Sequence, residues 1–345
     1  MKIISNPWRG QGAPALAHYP DAAVDAAPVR RLLAQCPVAK DTPLVNANAL
    51  AADIGVAAIH VKDERGRMGL GSFKALGAAY AIAKAAAAGP VDGVTFVTAS
   101  AGNHGLSVAA GARVFGARSV VYLAETVPAA FADLLRDKGA EVVIEGHDYE
   151  ASMVAAARDA KANGWRLLSD STWEGYNGGV DVMEGYLAMA EEARNQIETP
   201  PTHIFLQAGV GGLAAACAAY ARAAWGDAPI ITVVEPDRAE TLLASIKAGA
   251  PTHAPGETSS MGRLDCKDPS HVALKALARD ADFFMALSDE YVETAIEQLA
   301  AHDLATSPSG GAGFAGLTAG KAEQALNITP SSRVLLYLSE GPVDA

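Results

Sequence analysis

The stretch K62-DERGRMGLGSFKALGAA-Y80 decides how the rest of the chain is read. Just upstream, IHVKDE (59–64) alternates apolar and polar residues and predicts a strand running into a loop. Gly69 and Gly71 make that loop, and Ser72 serves as an N-cap for the helix that follows. Lys74 stands in the first turn of an apolar, alanine-rich segment that stops at Gly89-Pro90. A surface lysine on an amphipathic helix would have polar neighbours. Here Phe73 precedes it and Ala75 and Leu76 follow, so the amine is poorly solvated. Burial disfavours an ammonium and leaves a nucleophile able to form a Schiff base with a carbonyl.

Downstream, strand and helix patterns alternate. Strands are predicted at 93–100, 119–124, 141–146 and 165–170, with helices at 106–116, 129–138 and 151–163 between and around them. A helix at 183–196 precedes a strand, glycine loop and helix in 203–226, a strand at 230–236 and a helix around 239–248. The stretch 249–270 reads as loop, 283–303 as strand and helix, and 333–341 as a buried strand. Such βα alternation implies parallel sheets with right-handed crossovers. The division expected is a smaller domain, 81–185, inserted into a larger one formed by 1–80 and 186–345. Residues 1–28, rich in proline, alanine and glycine, are expected to be an irregular arm.

Composition sets the bounds. Of 345 residues, 50% are hydrophobic and only 6% aromatic, which suits a tightly packed α/β protein. A net charge of −12 argues against nucleic acid or an anionic membrane as the main partner. No apolar run reaches transmembrane length, and MKIISNPWRG lacks the apolar core of a signal peptide. The three cysteines, Cys36, Cys217 and Cys266, are widely spaced and follow no metal-ligand pattern. No metal site, reduced thiols and a cytoplasmic address are expected, with Cys266 read as a small buried hydrophobe rather than a reactive thiol.

Five further stretches carry chemistry. QAGVGGLAAA (207–216) places Gly209, Val210, Gly211, Gly212 and Leu213 between a strand and a helix, where free N–H groups and the helix dipole meet an anion. It is not GxGxxG, and Glu235 is an ambiguous candidate for the acid a dinucleotide site needs, so a single phosphate is the better fit. SAGNHG (100–105) sits at another strand-to-helix junction; the backbone of Ser100, Ala101 and Gly102 can hold a carboxylate, and His104 is read as a loop support or substrate contact. SDSTWEGY (169–176) offers Asp170 as an acid–base group and Tyr176 as a substrate contact. YLSEG (337–341) ends the last strand on Ser339, with Glu340 and Asp344 read as structural. Ser309, in the glycine-rich turn SPSGGAG (307–313), borders the same region.

GSFKALGAAYA resembles the lysine segment of fold-type II pyridoxal phosphate (PLP) enzymes, the group of threonine dehydratase and the tryptophan synthase β-chain. RMGLGSFKALG (67–77), SDSTWEGY (169–176), MGRLDCKDPS (261–270) and LSEGPVDA (338–345) are most similar to the diaminopropionate ammonia-lyase family. The resemblance, from about residue 30 onward, implies two three-layer α/β/α domains with mostly parallel sheets, the smaller inserted in the larger, and a homodimer. It implies PLP held by Lys74, Phe73, the 209–213 loop, Asn103 (to the phenolic oxygen) and Ser339 (to the pyridine nitrogen), with Lys74 and Asp170 catalytic. One position departs: the family has an aspartate where this chain has Ala101, which fits a neutral or bulky β-substituent better than a D-substrate or a diamino acid. The expected reaction is α,β-elimination from a β-substituted L-2-amino acid, such as threonine, 3-phenylserine or 2,3-diaminopropionate, to a 2-oxo acid and ammonia. β-Replacement, or a nucleotide- or cofactor-holding module without turnover, are the alternatives.

Overall fold

The computed structural model describes residues 1–342; Asp344 lies outside them. The chain builds two sheets. Their strands in chain order are β1 (Lys2–Ser5), β2 (Leu44–Asn46), β3 (Ala58–Asp63), β4 (Thr95–Ala99), β5 (Arg118–Leu123), β6 (Glu141–Ile144), β7 (Arg166–Leu167), β8 (His203–Gln207), β9 (Ile230–Pro236), β10 (Phe283–Leu287) and β11 (Arg333–Leu338). The seven-stranded sheet runs β1-β10-β9-β8-β11-β3-β2 and the four-stranded sheet β6-β5-β4-β7. The five inner strands of the large sheet and all four of the small one are parallel; the edge strands β1 and β2 pair antiparallel. This is the α/β architecture with mostly parallel sheets that the βα alternation implied.

Parallel strands bury both faces, so β4, β8, β9 and β11 carry no exposed residue and are mostly apolar. The Lys74–Ala88 helix crosses the Gly179–Gly185 helix almost backbone to backbone. A Cβ on Gly77 would come within 2.6 Å of Val182, and one on Gly185 within 2.7 Å of the Leu76 carbonyl. That contact fixes where the Lys74 helix begins.

Three expectations are corrected. Residues 1–28 are not wholly irregular: Lys2–Ser5 is an edge strand on β10. The Asn6 amide locks it by donating to the carbonyls of Leu277, Ala278 and Ala281. SPSGGAG is not a turn but the start of the Pro308–Gly320 helix, capped by Ser307. Its glycines serve close packing: a Cβ on Gly313 or Gly316 would strike β8 or β9 at 3.0 Å or less. Finally, the strand expected at 165–170 shrinks to two residues, because the chain turns away after Leu168 bonds Val97 at 2.8 Å. That early exit frees Asp170 from the sheet.

Candidate active site

The loops that leave the carboxyl ends of β3, β4, β7, β8 and β11 converge on one cleft, the usual location of ligands in parallel α/β sheets. Lys74 reaches it because its loop is stitched to the segment after β11. Phe73 N–H donates to the Ser339 carbonyl at 3.0 Å, Gly341 N–H donates to Gly71 at 3.1 Å, and Ser72 forms a bridge with Glu340. Ser72 Oγ also accepts the Lys74 N–H at 3.3 Å.

Lys74 Nζ donates to Asp170 and lies 5.3 Å from the centre of the Phe73 ring, which packs on the buried Tyr186. Burial opposes an ammonium here, as the sequence suggested. The adjacent Asp170 carboxylate outweighs it, and Lys74 is held above its ordinary pKa. The same pairing acts in reverse on Asp170: burial favours the neutral acid, but Lys74 and His104 hold the carboxyl well below the usual range. The expectation of a neutral free amine is therefore corrected, because Asp170 sits against it.

Tyr176 does not present its hydroxyl to the cleft as a free contact. Its oxygen accepts from Ser169 N–H and donates to the Leu167 carbonyl, both at 3.0 Å, so it clamps the segment that carries Asp170. His104 Nε2 donates to the Leu168 carbonyl at 2.8 Å. That leaves Nδ1 as a buried acceptor without a partner among the described residues, and burial lowers the ring's pKa.

The 100–103 loop starts the Asn103–Val114 helix. Ser100 Oγ accepts Gly102 N–H at 3.2 Å, Ala101 is exposed, and the Asn103 amide donates to Glu340. Glu340, read as structural, therefore points into the site; it also accepts from Ser307 Oγ, and burial raises its pKa.

Across the cleft, Gly211 has φ +103°, a conformation that L side chains rarely adopt, and hands the chain to the Gly212–Trp225 helix. The N–H groups of Gly211, Gly212 and Leu213 find no acceptor among the described residues. A Cβ on Gly209 would lie 2.9 Å from Cys266 Sγ and 3.2 Å from the Arg263 carbonyl. Val210 contributes its carbonyl, which holds the Ser270 N–H at 2.9 Å. Burial pushes the Cys266 thiol up to about 12, so it stays protonated. Ser339 Oγ accepts from the buried Gln207 amide at 3.1 Å, which leaves its hydroxyl hydrogen free to donate.

These features fit PLP: an orphaned row of N–H groups for its phosphate, a primary amine for its aldehyde and a neutral hydroxyl donor for its ring nitrogen. Ser309 stands at the border, its hydroxyl accepting the Arg263 N–H at 3.0 Å. Sequence reasoning missed Arg263, whose guanidinium donates to the Ala101 carbonyl at 3.1 Å, and Tyr186. The only signal for Arg263 was its place within a matched motif.

Comparison with known proteins agrees with this geometry. The family model for pyridoxal-phosphate dependent enzymes matches residues 36–340. The diaminopropionate ammonia-lyase of Salmonella typhimurium is 34% identical over 72% of this chain and 69% of its own. Human L-serine dehydratase/L-threonine deaminase is 28% identical over 76% of this chain and 77% of its own. Among solved structures, Escherichia coli diaminopropionate ammonia-lyase in complex with an aminoacrylate-PLP azomethine reaction intermediate superposes with a TM-score of 0.88 at 27% identity. That match covers 99% of this chain and 93% of the other. With this fold, this cleft and these relatives, the chain belongs to the pyridoxal-phosphate dependent enzyme family.

Proposed function

We propose that the chain is a PLP-dependent lyase that catalyses α,β-elimination from a β-substituted L-2-amino acid, giving a 2-oxo acid and ammonia. The observation that carries this reading is the Lys74 amine set against Asp170, within one cleft with the 209–213 cradle and Ser339. Bound PLP supplies an electron sink that acidifies the substrate's Cα–H.

In this reading Gly209, Val210, Gly211, Gly212 and Leu213 hold the cofactor phosphate. Phe73 flanks its ring, Asn103 hydrogen-bonds its phenolic oxygen, and Ser339 donates to the ring nitrogen. A neutral donor there leaves the nitrogen largely unprotonated and moderates the sink, which suits elimination. Lys74 anchors the cofactor and, when freed, takes the Cα proton from one face, which selects the L-isomer. The ionised Asp170 stabilises the ammonium so formed. Ser100, Ala101 and Gly102 hold the substrate carboxylate through their backbone, with His104 fixing, through the Leu168 carbonyl, the segment that leads to Asp170. Asn103 donates one amide hydrogen to Glu340 and keeps the second for the cofactor. The neutral Ala101 side chain favours a β-hydroxy substrate over a diamino acid.

The proposal includes a homodimer and a cytoplasmic address. Among the described residues no helix is long and apolar enough to cross a membrane. An apolar hollow of about 580 Å³ beside the exposed Val38 and Val114 supports the dimer reading as a surface a second copy could cover, and sedimentation of a Val114→Glu variant tests it.

The direct test is release of ammonia and 2-oxo acid from L- and D-2,3-diaminopropionate, L-serine, L-threonine and L-threo-3-phenylserine. Borohydride should fix the cofactor to Lys74, and Lys74→Ala should abolish turnover. Turnover retained in that variant overturns the assignment.

A further inference from the structure

Arg263 brings a positive charge into the cleft. Its residue touches three landmarks of the site. The backbone carbonyl stands 3.2 Å from where a Cβ on Gly209 would lie, and Nη1 is 3.1 Å from the corresponding point on Gly102. Nε forms a long ion pair with Glu340 Oε2 at 3.9 Å, beyond hydrogen-bond distance, so that charge contact uses none of its donors. The guanidinium makes one hydrogen bond, from Nη1 to the Ala101 carbonyl, so four of its five N–H donors face no protein acceptor among the described residues. Its side chain is 39% exposed. The other acids nearby are engaged: Asp170 is paired with Lys74, and Glu340 is held by Ser307 and Asn103. An arginine tied by one bond to the loop assigned to the substrate carboxylate, with its remaining fork open, is a bidentate oxyanion receptor.

We propose that Arg263 is a specificity-determining residue that selects amino acid substrates bearing a second oxyanion, a carboxylate or phosphate, on or beyond the β-carbon. This rests on the elimination reading above. For a β-hydroxy dicarboxylic amino acid, the Cα–H and Cβ–O bonds break, water leaves, and hydrolysis of the released enamine returns that water to give a 2-oxo dicarboxylate and ammonia; for a β-phosphate ester the phosphate leaves with the Cβ–O electron pair and hydrolysis of the enamine consumes one water.

The test compares kcat/KM for L-threo-3-hydroxyaspartate and O-phospho-L-serine with that for L-threonine and L-serine, in the PLP-loaded protein and in Arg263→Gln and Arg263→Lys. A second arm measures the affinity of non-eliminating L-aspartate and L-alanine from the shift in the cofactor's visible band. An acidic-to-neutral ratio of about 10- to 100-fold is expected, as for hydrogen bonds to charged groups. It should collapse in Arg263→Gln and recover partly in Arg263→Lys. The carboxylate and phosphate substrates separate the two oxyanions. A ratio near one, or an equal loss on all substrates in Arg263→Gln, overturns the proposal and makes Arg263 a loop clamp. If PLP binds but nothing is eliminated, the elimination reading fails. The aspartate arm still decides Arg263: a preference for L-aspartate lost in Arg263→Gln supports it, and no preference overturns it.

Discussion

Asp170→Asn changes one oxygen to an amide and leaves the shape of the site intact, yet it should remove the upward shift of the Lys74 pKa. Two unit charges about 4 Å apart interact by ~4 kcal/mol at an effective dielectric near 20. One pKa unit corresponds to ~1.4 kcal/mol, so losing the Asp170 charge should lower the Lys74 pKa by about 3 units. Burial, no longer outweighed by Asp170, would cancel the rise and return the amine to about its ordinary range. In the cofactor-free protein this is read as the pH midpoint for acylation of Lys74, followed by peptide mass spectrometry. The variant's midpoint should fall by about 3 units, back to the range of an ordinary lysine, so that Lys74 labels at a pH where the parent does not. In the loaded enzyme kcat should drop by about 10²-fold, the usual scale for losing an acid–base partner, with a smaller change in KM. A midpoint that does not move would show that Asp170 does not govern Lys74, and the pairing would have no catalytic meaning.

Two stability predictions lie away from the cleft. Glu192 is buried and accepts from Arg30 and Arg67 and pairs with Lys62 at 2.7 Å; Glu192→Gln leaves buried cations unbalanced and should cost about 3–5 kcal/mol in urea unfolding. An unchanged unfolding midpoint would refute that. Glu235 is fully buried, and burial pushes its carboxyl up to about 8 although the N–H groups of Leu242 and Leu243 donate to it. The folded pKa exceeds the unfolded one, so stability is complete below about 4.5 and falls as pH rises to about 8, by up to roughly 5 kcal/mol. Glu235→Gln should lose part of the cap at every pH but flatten that slope; a slope equal to that of the parent protein would assign it to other groups.

Glu235 also shows how far the sequence was legible. It ends a strand after a glycine loop, where a dinucleotide site would keep its acid, and only the structure reveals its carboxylate turned onto a helix N-terminus. Local signals located the elements because buried parallel strands and alanine helices leave periodic traces. The same signals located Lys74, since apolar neighbours on both sides are a property of adjacent residues. What could not be read was pairing across the chain. Nothing local to Lys74 announces Asp170, 96 residues on, so the expected sign of its pKa shift was wrong. Glycines were ambiguous for a similar reason: those of the Pro308–Gly320 helix resemble turn residues until β8 and β9 are placed against them.

The cleft's charge is likewise a matter of pairing rather than composition. A chain carrying −12 would seem a poor receptor for an anion with two or three negative charges. That field is screened beyond a Debye length of about 8–10 Å at physiological salt, whereas a small anion inside the cleft would be met at hydrogen-bond distance. There the balance differs. Lys74 and Asp170 cancel, burial pushes Glu340 toward its neutral form, and the orphaned N–H groups of Gly211, Gly212 and Leu213 add positive potential. Arg263 then stands as a cation with most of its donors open. Net charge can exclude a polyanion that must lie across the whole surface. It does not exclude a small anion drawn into a locally positive site, and the ratio of acidic to neutral turnover measures that local field.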